Sequence, residues 1–212
     1  MISVKTIVFN NFAVNTYILH DESKNAIIID PACSNKGELN TLTQYILNNQ
    51  LTPVKIINTH GHIDHIVGVQ KVADQYKIPF LMHEADAPLL GTAREMGLLF
   101  GFQVDEIPTP TSFLNEGDIV EFGNSQLKVF HVPGHSPGSI VFYSKNDDFV
   151  IAGDVLFSGS IGRTDLPGGD YNTLISGIKN KLLTLPAKTI VYSGHGSSTT
   201  IHVEHDTNPF LV

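Results

Sequence analysis

Cysteine is almost missing from this chain: Cys33 is the only one in 212 residues. No disulfide can close within the chain and a cysteine-ligated zinc site is excluded, so any metal must be held by histidines and carboxylates. Long apolar runs are also absent. Stretches such as Ala26 to Ile29 end at polar or turn residues, far short of the roughly 20 needed to span a bilayer, and Met1 to Asn10 lacks the charged and apolar parts of a signal peptide. A cytoplasmic protein with no membrane partner is expected. Basic residues are in deficit, 13 Lys and Arg against 21 Asp and Glu, and the formal charge of −8 opposes the phosphate neutralisation on which nucleic-acid binding depends. Nucleic acid is therefore not the expected partner. There is no linker, repeat or low-complexity segment, and a 42% hydrophobic share is enough for one sizeable core, so residues 1–212 are expected to form one domain.

Histidine, by contrast, is plentiful. There are ten, and His60, His62 and His65 fall within six consecutive positions. Their setting follows from the surrounding pattern. Short strands are predicted at Ile2 to Phe9, Val14 to Leu19 and Ala26 to Ile29, the last closed by the turn pair Asp30-Pro31. Leu39, Leu42, Ile46 and Leu47 share one face of a helix, and Val54 to Asn58 reads as a buried strand that ends at the histidine cluster. Val69, Val72, Ala73 and Tyr76 predict a second helix, Pro79 to Met82 a strand, and Glu84 to Phe102 a helix interrupted by Gly91, Gly97 and Gly101. Further strands are expected at Asp118 to Phe122, Gln126 to His131, Ser139 to Tyr143 and Phe149 to Ala152. Leu174, Ile175, Ile178 and Leu182 then mark a third helix before the strand Thr189 to Tyr192. Two successive sets of strands and helices imply two packed sheets with helices outside.

Chemistry concentrates at strand ends, where a rigid scaffold commonly presents functional side chains. Thr59-His60-Gly61-His62-Ile63-Asp64-His65 packs three imidazoles and a carboxylate around a small residue that lets the chain turn. Imidazole with carboxylate suits zinc, iron or manganese; the plainer alternative is a polar loop whose histidines only hydrogen-bond. His135 lies in the turn Val132-Pro133-Gly134-His135-Ser136-Pro137-Gly138, Asp154 follows Gly153 after an apolar run, and His195 stands between Gly194 and Gly196. Singly, each fits a turn or cap. Together with the cluster they fit a metal centre.

These residues resemble the metallo-β-lactamase superfamily over nearly the whole chain. Its His-x-His-x-Asp-His motif is met by His60 to His65, and its later ligands by His135, Asp154 and His195 in order. The resemblance implies a four-layer αββα sandwich of the α/β class, with two mixed β-sheets packed face to face and helices outside. It implies two divalent metal ions, zinc first and iron or manganese as alternatives. His60, His62 and His135 would bind one ion, Asp64, His65 and His195 the other, with Asp154 bridging. An aspartate at 154 resembles the glyoxalase II-like branch rather than the β-lactamases with cysteine there. Gly162-Arg163-Thr164-Asp165-Leu166-Pro167, Thr199-Thr200-Ile201 and Asn208-Pro209-Phe210 resemble small bacterial members of that branch. Only Gly196 to Val212 follows the last ligand, where full-length glyoxalase II carries a helical domain that contacts glutathione, so weak hold on glutathione is expected.

The function so implied is hydrolysis of a small acyl-thiol such as S-lactoylglutathione by hydroxide generated at the metal, with Asp64 handling its proton. The rival is a persulfide dioxygenase of the same fold using a single iron on His60, His135 and Asp154. A non-enzymatic relative would have lost ligands, and a nuclease would need a basic groove. Arg163 either contacts substrate or pairs with Asp165. His131 reads as structural, His202 and His205 as exposed on a short helix, Cys33 as a buried or loop thiol, and Asp30 as a turn former that could also bond to the metal loops.

Overall fold

A computed structural model describes all residues, 1–212. The first sheet has strand order β1 (Ser3–Phe9), β2 (Val14–His20), β3 (Asn25–Ile29), β4 (Thr52–Ile57), β5 (Phe80–Met82), β6 (Ser112–Phe113). β1, β2 and β3 pair antiparallel, whereas β3 to β6 are parallel. Parallel strands need crossovers, which α1 (Lys36–Asn48) supplies between β3 and β4, α3 (Val69–Tyr76) between β4 and β5, and the helical region 84–100 between β5 and β6. The second sheet runs β14 (Thr199–Thr200), β13 (Ile190–Ser193), β10 (Phe149–Gly153), β9 (Ile140–Ser144), β8 (Ser125–His131), β7 (Ile119–Phe122), with β10 and β13 as its parallel pair.

Side-chain alternation divides the interior into three apolar layers. Tyr17, Leu19, Ile27, Ile29 and Ile57 of the first sheet meet Leu127, Val129, Ile140, Phe142 and Ile151 of the second. Their neighbours Ile18, Ile28 and Ile56 face Leu42, Ile46, Val69 and Val72 of the helices. Val141, Val150, Ala152 and Val191 face Leu174 of α6 (Tyr171–Gly177), Ile178, Leu182 and Ile201 of α7 (Ile201–Thr207). The result is the αββα sandwich, and burial on both faces explains why these strands read as continuous apolar runs. No helix is long and apolar enough to cross a membrane.

Some expected details shift. Leu47 is 61% exposed because, eight residues beyond Leu39, it has turned about 80° off the buried stripe of α1. The region 84–102 breaks into a 3₁₀ turn (Glu84–Asp86), α4 (Ala87–Gly91) and α5 (Ala93–Phe100), ending at Gly101 with φ +77°. After α6 the chain continues as a π-helical turn, Ile178–Leu182. Cys33 is fully buried, and burial pushes its thiol up to about 12, so it is the inert thiol expected.

Asp21 closes one end of the sandwich. At 3% exposure it accepts from the Ser23 amide and hydroxyl, from Asn124 N (2.7 Å) and from Ser125 Oγ (2.8 Å), tying the β2–β3 turn to the β7–β8 turn. Those bonds hold its carboxyl at about 2 against the opposing effect of burial. β3 and β10 run away from this end, and the histidine loops gather at the other.

Candidate metal centre

The loop after β4 leads into α2 (Ile63–Ile66), placing His60, His62, Asp64 and His65 over the end of the first sheet. His135 follows β8, Asp154 follows β10 and His195 follows β13, so the second sheet contributes from the same end. All seven candidates meet there. The ligating atoms of His60, His62 and His135 lie within 4.8 Å of one another, as do those of Asp64, His65 and His195. In the first group His135 Nε2 is 2.9 Å from His62 Nδ1 and 3.3 Å from His60 Nε2. In the second, His65 Nε2 is 3.3 Å from His195 Nε2, and Asp64 Oδ2 is 3.7 and 3.5 Å from these two nitrogens. Asp154 faces both groups. Its Oδ2 is 3.6 Å from His135 Nε2 and 3.4 Å from His195 Nε2, and its Oδ1 is 3.4 Å from His65 Nε2.

Four imidazoles are aimed by a bond at their far nitrogen. His65 Nδ1 donates to Asp30 Oδ2 (2.9 Å), His135 Nδ1 to the Arg163 carbonyl (2.8 Å) and His195 Nδ1 to the Phe12 carbonyl (2.8 Å). Thr59 Oγ1 donates to Asp30 Oδ2 (2.6 Å), so at 3.0 Å it accepts from His60 Nδ1. Each bond fixes the tautomer that leaves Nε2 free as a ligand. Asp30 is thus the hub for two rings, making the bonds to the metal loops that were expected as the alternative to turn forming.

The group that sequence reasoning missed is Asp86. Fully buried on the 3₁₀ turn, it accepts from Gly61 N (2.8 Å), Ser136 Oγ (2.7 Å) and Gly138 N (2.6 Å), locking the His60–His65 loop to the His135 loop. Nothing local to 84–86 signals this, because all three donors are distant in sequence. Arg163 places its guanidinium in a two-bond pair with Asp165, both exposed, and touches the centre through its carbonyl alone. His131 stacks on His83 at 4.0 Å and bonds to the Pro137 carbonyl, while His202 and His205 are exposed on α7.

Charge is distributed unevenly across the centre. Burial, reinforced by the neighbouring rings, holds His60 well below its ordinary value and His62 down to about 4. Burial also opposes charge on His65 and His195, but Asp154 and Asp64 outweigh it, raising His65 well above its ordinary value and His195 to about 9. The same pairing keeps Asp64 below, and Asp154 well below, the usual carboxylate range despite burial.

The residues fit divalent metal ions on three counts. Two nitrogens bound to one tetrahedral ion at about 2.0–2.1 Å sit about 3.3 Å apart, the spacing of His135 and His60 in the first group and of His65 and His195 in the second, with His62 and His135 closer at 2.9 Å. Asp154 Oδ1 is buried without a hydrogen-bond partner. A Cβ at Gly194 would run into that oxygen, so only glycine leaves the space open.

The model of the metallo-β-lactamase superfamily matches residues 10–195. The chain belongs to this superfamily. Among its relatives, the probable metallo-hydrolase YqgX of Bacillus subtilis is 42% identical over 203 residues, covering 93% of this chain and 92% of YqgX. The hydroxyacylglutathione hydrolase GloC of Haemophilus influenzae is 37% identical over 211 residues, covering 99% and 98%. Among solved structures, the B3 metallo-β-lactamase BLEG-1 superposes with TM-score 0.89 at 39% identity, covering 99% of this chain and all of that one. TTHA1623, solved in a di-iron-bound form, gives 0.88 at 36%, covering 98% and 100%. The superfamily and the His/Asp cluster together make the chain a metallo-hydrolase-fold protein with a centre for divalent metal.

Asp30→Asn tests how the centre is supported. An amide has one acceptor oxygen: either its nitrogen faces the Thr59 amide, bonded at 2.7 Å to Oδ1, or it faces His65 Nδ1 and drives the His65 proton onto Nε2. The second arrangement blocks a ligand, and outer-shell changes of this kind cost about 10–100-fold in metal affinity. That loss is expected in a metal titration of Asp30→Asn, and unaltered affinity would deny Asp30 the role.

Proposed function

We propose that this protein hydrolyses acyl-thioesters of the S-lactoylglutathione class at a two-metal centre, with His60, His62 and His135 holding one ion and Asp64, His65 and His195 the other. The observation that carries the reading is Asp154, whose carboxylate stands between two ligand groups of equal size. Seven ligands are too many for one tetrahedral ion. Full-length similarity to a hydroxyacylglutathione hydrolase supports the substrate class. Imidazole and carboxylate without thiolate suit zinc, our first choice, and equally admit iron, the metal of the TTHA1623 structure.

Divalent ions, when bound, lower the pKa of water from 15.7 to about 7 and polarise an acyl carbonyl. The chain itself supplies position and proton handling. Asp64 is ionised, 16% exposed and therefore within reach of a substrate, and its carboxylate oxygens take the proton of the attacking water. The water oxygen adds to the acyl carbon, the C–S bond breaks, and the proton passes to the departing thiolate, giving a carboxylic acid and a thiol. Asp30, Thr59, the Arg163 carbonyl and the Phe12 carbonyl keep the rings in register without touching substrate.

The test uses protein loaded separately with zinc and with iron, after elemental analysis of protein purified without added metal. Thiol release is measured on a thioester panel, ring opening on a β-lactam and oxygen uptake on glutathione persulfide. Two metals per chain and thioester cleavage faster than lactam opening are expected. Oxygen uptake by the iron form, with no thioester cleavage by either form, would replace this reading with a dioxygenase.

A further inference from the structure

Thr199 and Asn208 lie beyond the last ligand and touch no candidate ligand, yet they converge on one buried acid. Glu204, on α7, is fully buried. Its Oε1 accepts from Thr199 Oγ1 (2.6 Å), and its Oε2 accepts from Asn208 Nδ2 (2.7 Å) and from the Gly159 amide (3.0 Å). Asn208, also fully buried, gives a second bond from Nδ2 to the Ser160 carbonyl (3.0 Å). Gly159, in the turn, and Ser160, the first residue of the second strand, lie at the tip end of a small hairpin made by β11 (Leu156–Phe157) and β12 (Ser160–Ile161).

That hairpin leaves from Asp154 and returns to Arg163, whose carbonyl aims His135. At its base Ser193 Oγ donates to the Leu156 carbonyl (2.7 Å), two residues before His195, and the Phe157 ring lies 6.3 Å from the His195 ring. The tip is held only through Glu204 and Asn208. Thr199 brings the strand that follows His195 to the same carboxylate. One side chain therefore joins the segment after His195 to the segment between Asp154 and Arg163.

We infer that Glu204 is a positioning residue of the metal centre, clasping the β11–β12 hairpin so that Asp154, the Arg163 carbonyl and His195 keep their mutual spacing. The inference rests on the reading of the centre as a metal site. A purely structural carboxylate would stabilise the fold and leave the centre unchanged, and Asp21, with four bonds at the opposite end of the sandwich, is that comparison.

The experiment titrates chelator-stripped protein with cobalt(II) and follows its visible absorption, alongside amide exchange of the metal-free protein. Glu204→Ala is expected to lose about 10–100-fold in cobalt affinity, the usual cost of removing an outer-shell partner, to change the shape of the spectrum and to speed exchange at residues 156–161. Glu204→Gln should stay near wild type, because its amide nitrogen can donate to Thr199 Oγ1 once that hydroxyl turns, while its oxygen still accepts from Gly159 and Asn208. Asp21→Ala should lower the melting temperature and leave the cobalt affinity, the spectrum and the hairpin exchange unchanged. Where Glu204→Ala does not accumulate folded, Glu204→Asp, one methylene too short to span both partners, takes its place with the same expected direction. A Glu204 variant that melts early but titrates like Asp21→Ala would overturn the inference while leaving the metal reading intact. A wild-type protein that takes up no cobalt would bring down the metal reading, and the inference with it.

Discussion

Protein stripped of metal by a strong chelator is expected to stay folded and to lose thioester cleavage by more than about 10³-fold. The three apolar layers contain none of the seven candidate ligands, so the fold does not depend on the centre being filled. Activity does, because no side chain present can replace the hydroxide. Cys33 is buried in the helix-facing layer with its thiol pushed up to about 12, and Ser136 is buried with its hydroxyl committed to Asp86. Without metal the nucleophile is water with a pKa of 15.7 instead of about 7, which lowers the hydroxide population at neutral pH by about eight orders of magnitude. The weaker nucleophilicity of metal-held hydroxide returns only part of that. Adding back two equivalents of zinc should restore the rate in two stages, following the two ligand groups. Full activity in protein shown by elemental analysis to be metal-free would discard the metal mechanism.

How far this arrangement could be read beforehand depends on sequence distance. His60, His62, Asp64 and His65 announce themselves because four donors crowd six positions, and the loop they form is local. His135, Asp154 and His195 each stand in a glycine-containing turn after an apolar strand, so their addresses are legible, but their meeting point requires two sheets to end on the same side. Asp86 and Glu204 were illegible in a stronger sense. Each has a second acid two residues away, Glu84 or Asp206, that nothing local distinguishes from it, and each matters through bonds to residues as far away as Ser136, 50 positions on, or Gly159, 45 positions back. The chain gives no local clue because such bonds create no periodicity. The same reason hides β6, β11, β12 and β14, which are two residues long and are defined by their partners alone. Asp30 sits between these cases: its turn with Pro31 and a bond to the metal loops were legible, but not that Thr59 and His65 are the partners.

Asp64→Asn should keep the fold, hold the second ion more weakly than the carboxylate does, and when saturated with metal lose about 10²–10⁴-fold in turnover, the range for removal of one acid or base. The fold is safe because Asp64 belongs to no apolar layer and its carbonyl bond from Asn10 Nδ2, 2.9 Å, does not involve the side chain. The amide has nearly the shape of the carboxylate, so His65 and His195 remain in place, each still held through its own Nδ1. What changes is proton handling. An aspartate is ionised near neutral pH and able to accept a proton. An amide oxygen accepts a hydrogen bond but holds no proton at that pH, so water must be deprotonated without a fixed acceptor and the thiolate must leave without a fixed donor. Loss at both steps lowers kcat, whereas KM should change less, because the substrate's contacts elsewhere are untouched. The loss of carboxylate ligation shows separately, as a metal content below two per chain until the second ion is saturated. A fully metallated Asp64→Asn protein turning over at the wild-type rate would take Asp64 out of the chemistry and leave it as a ligand only.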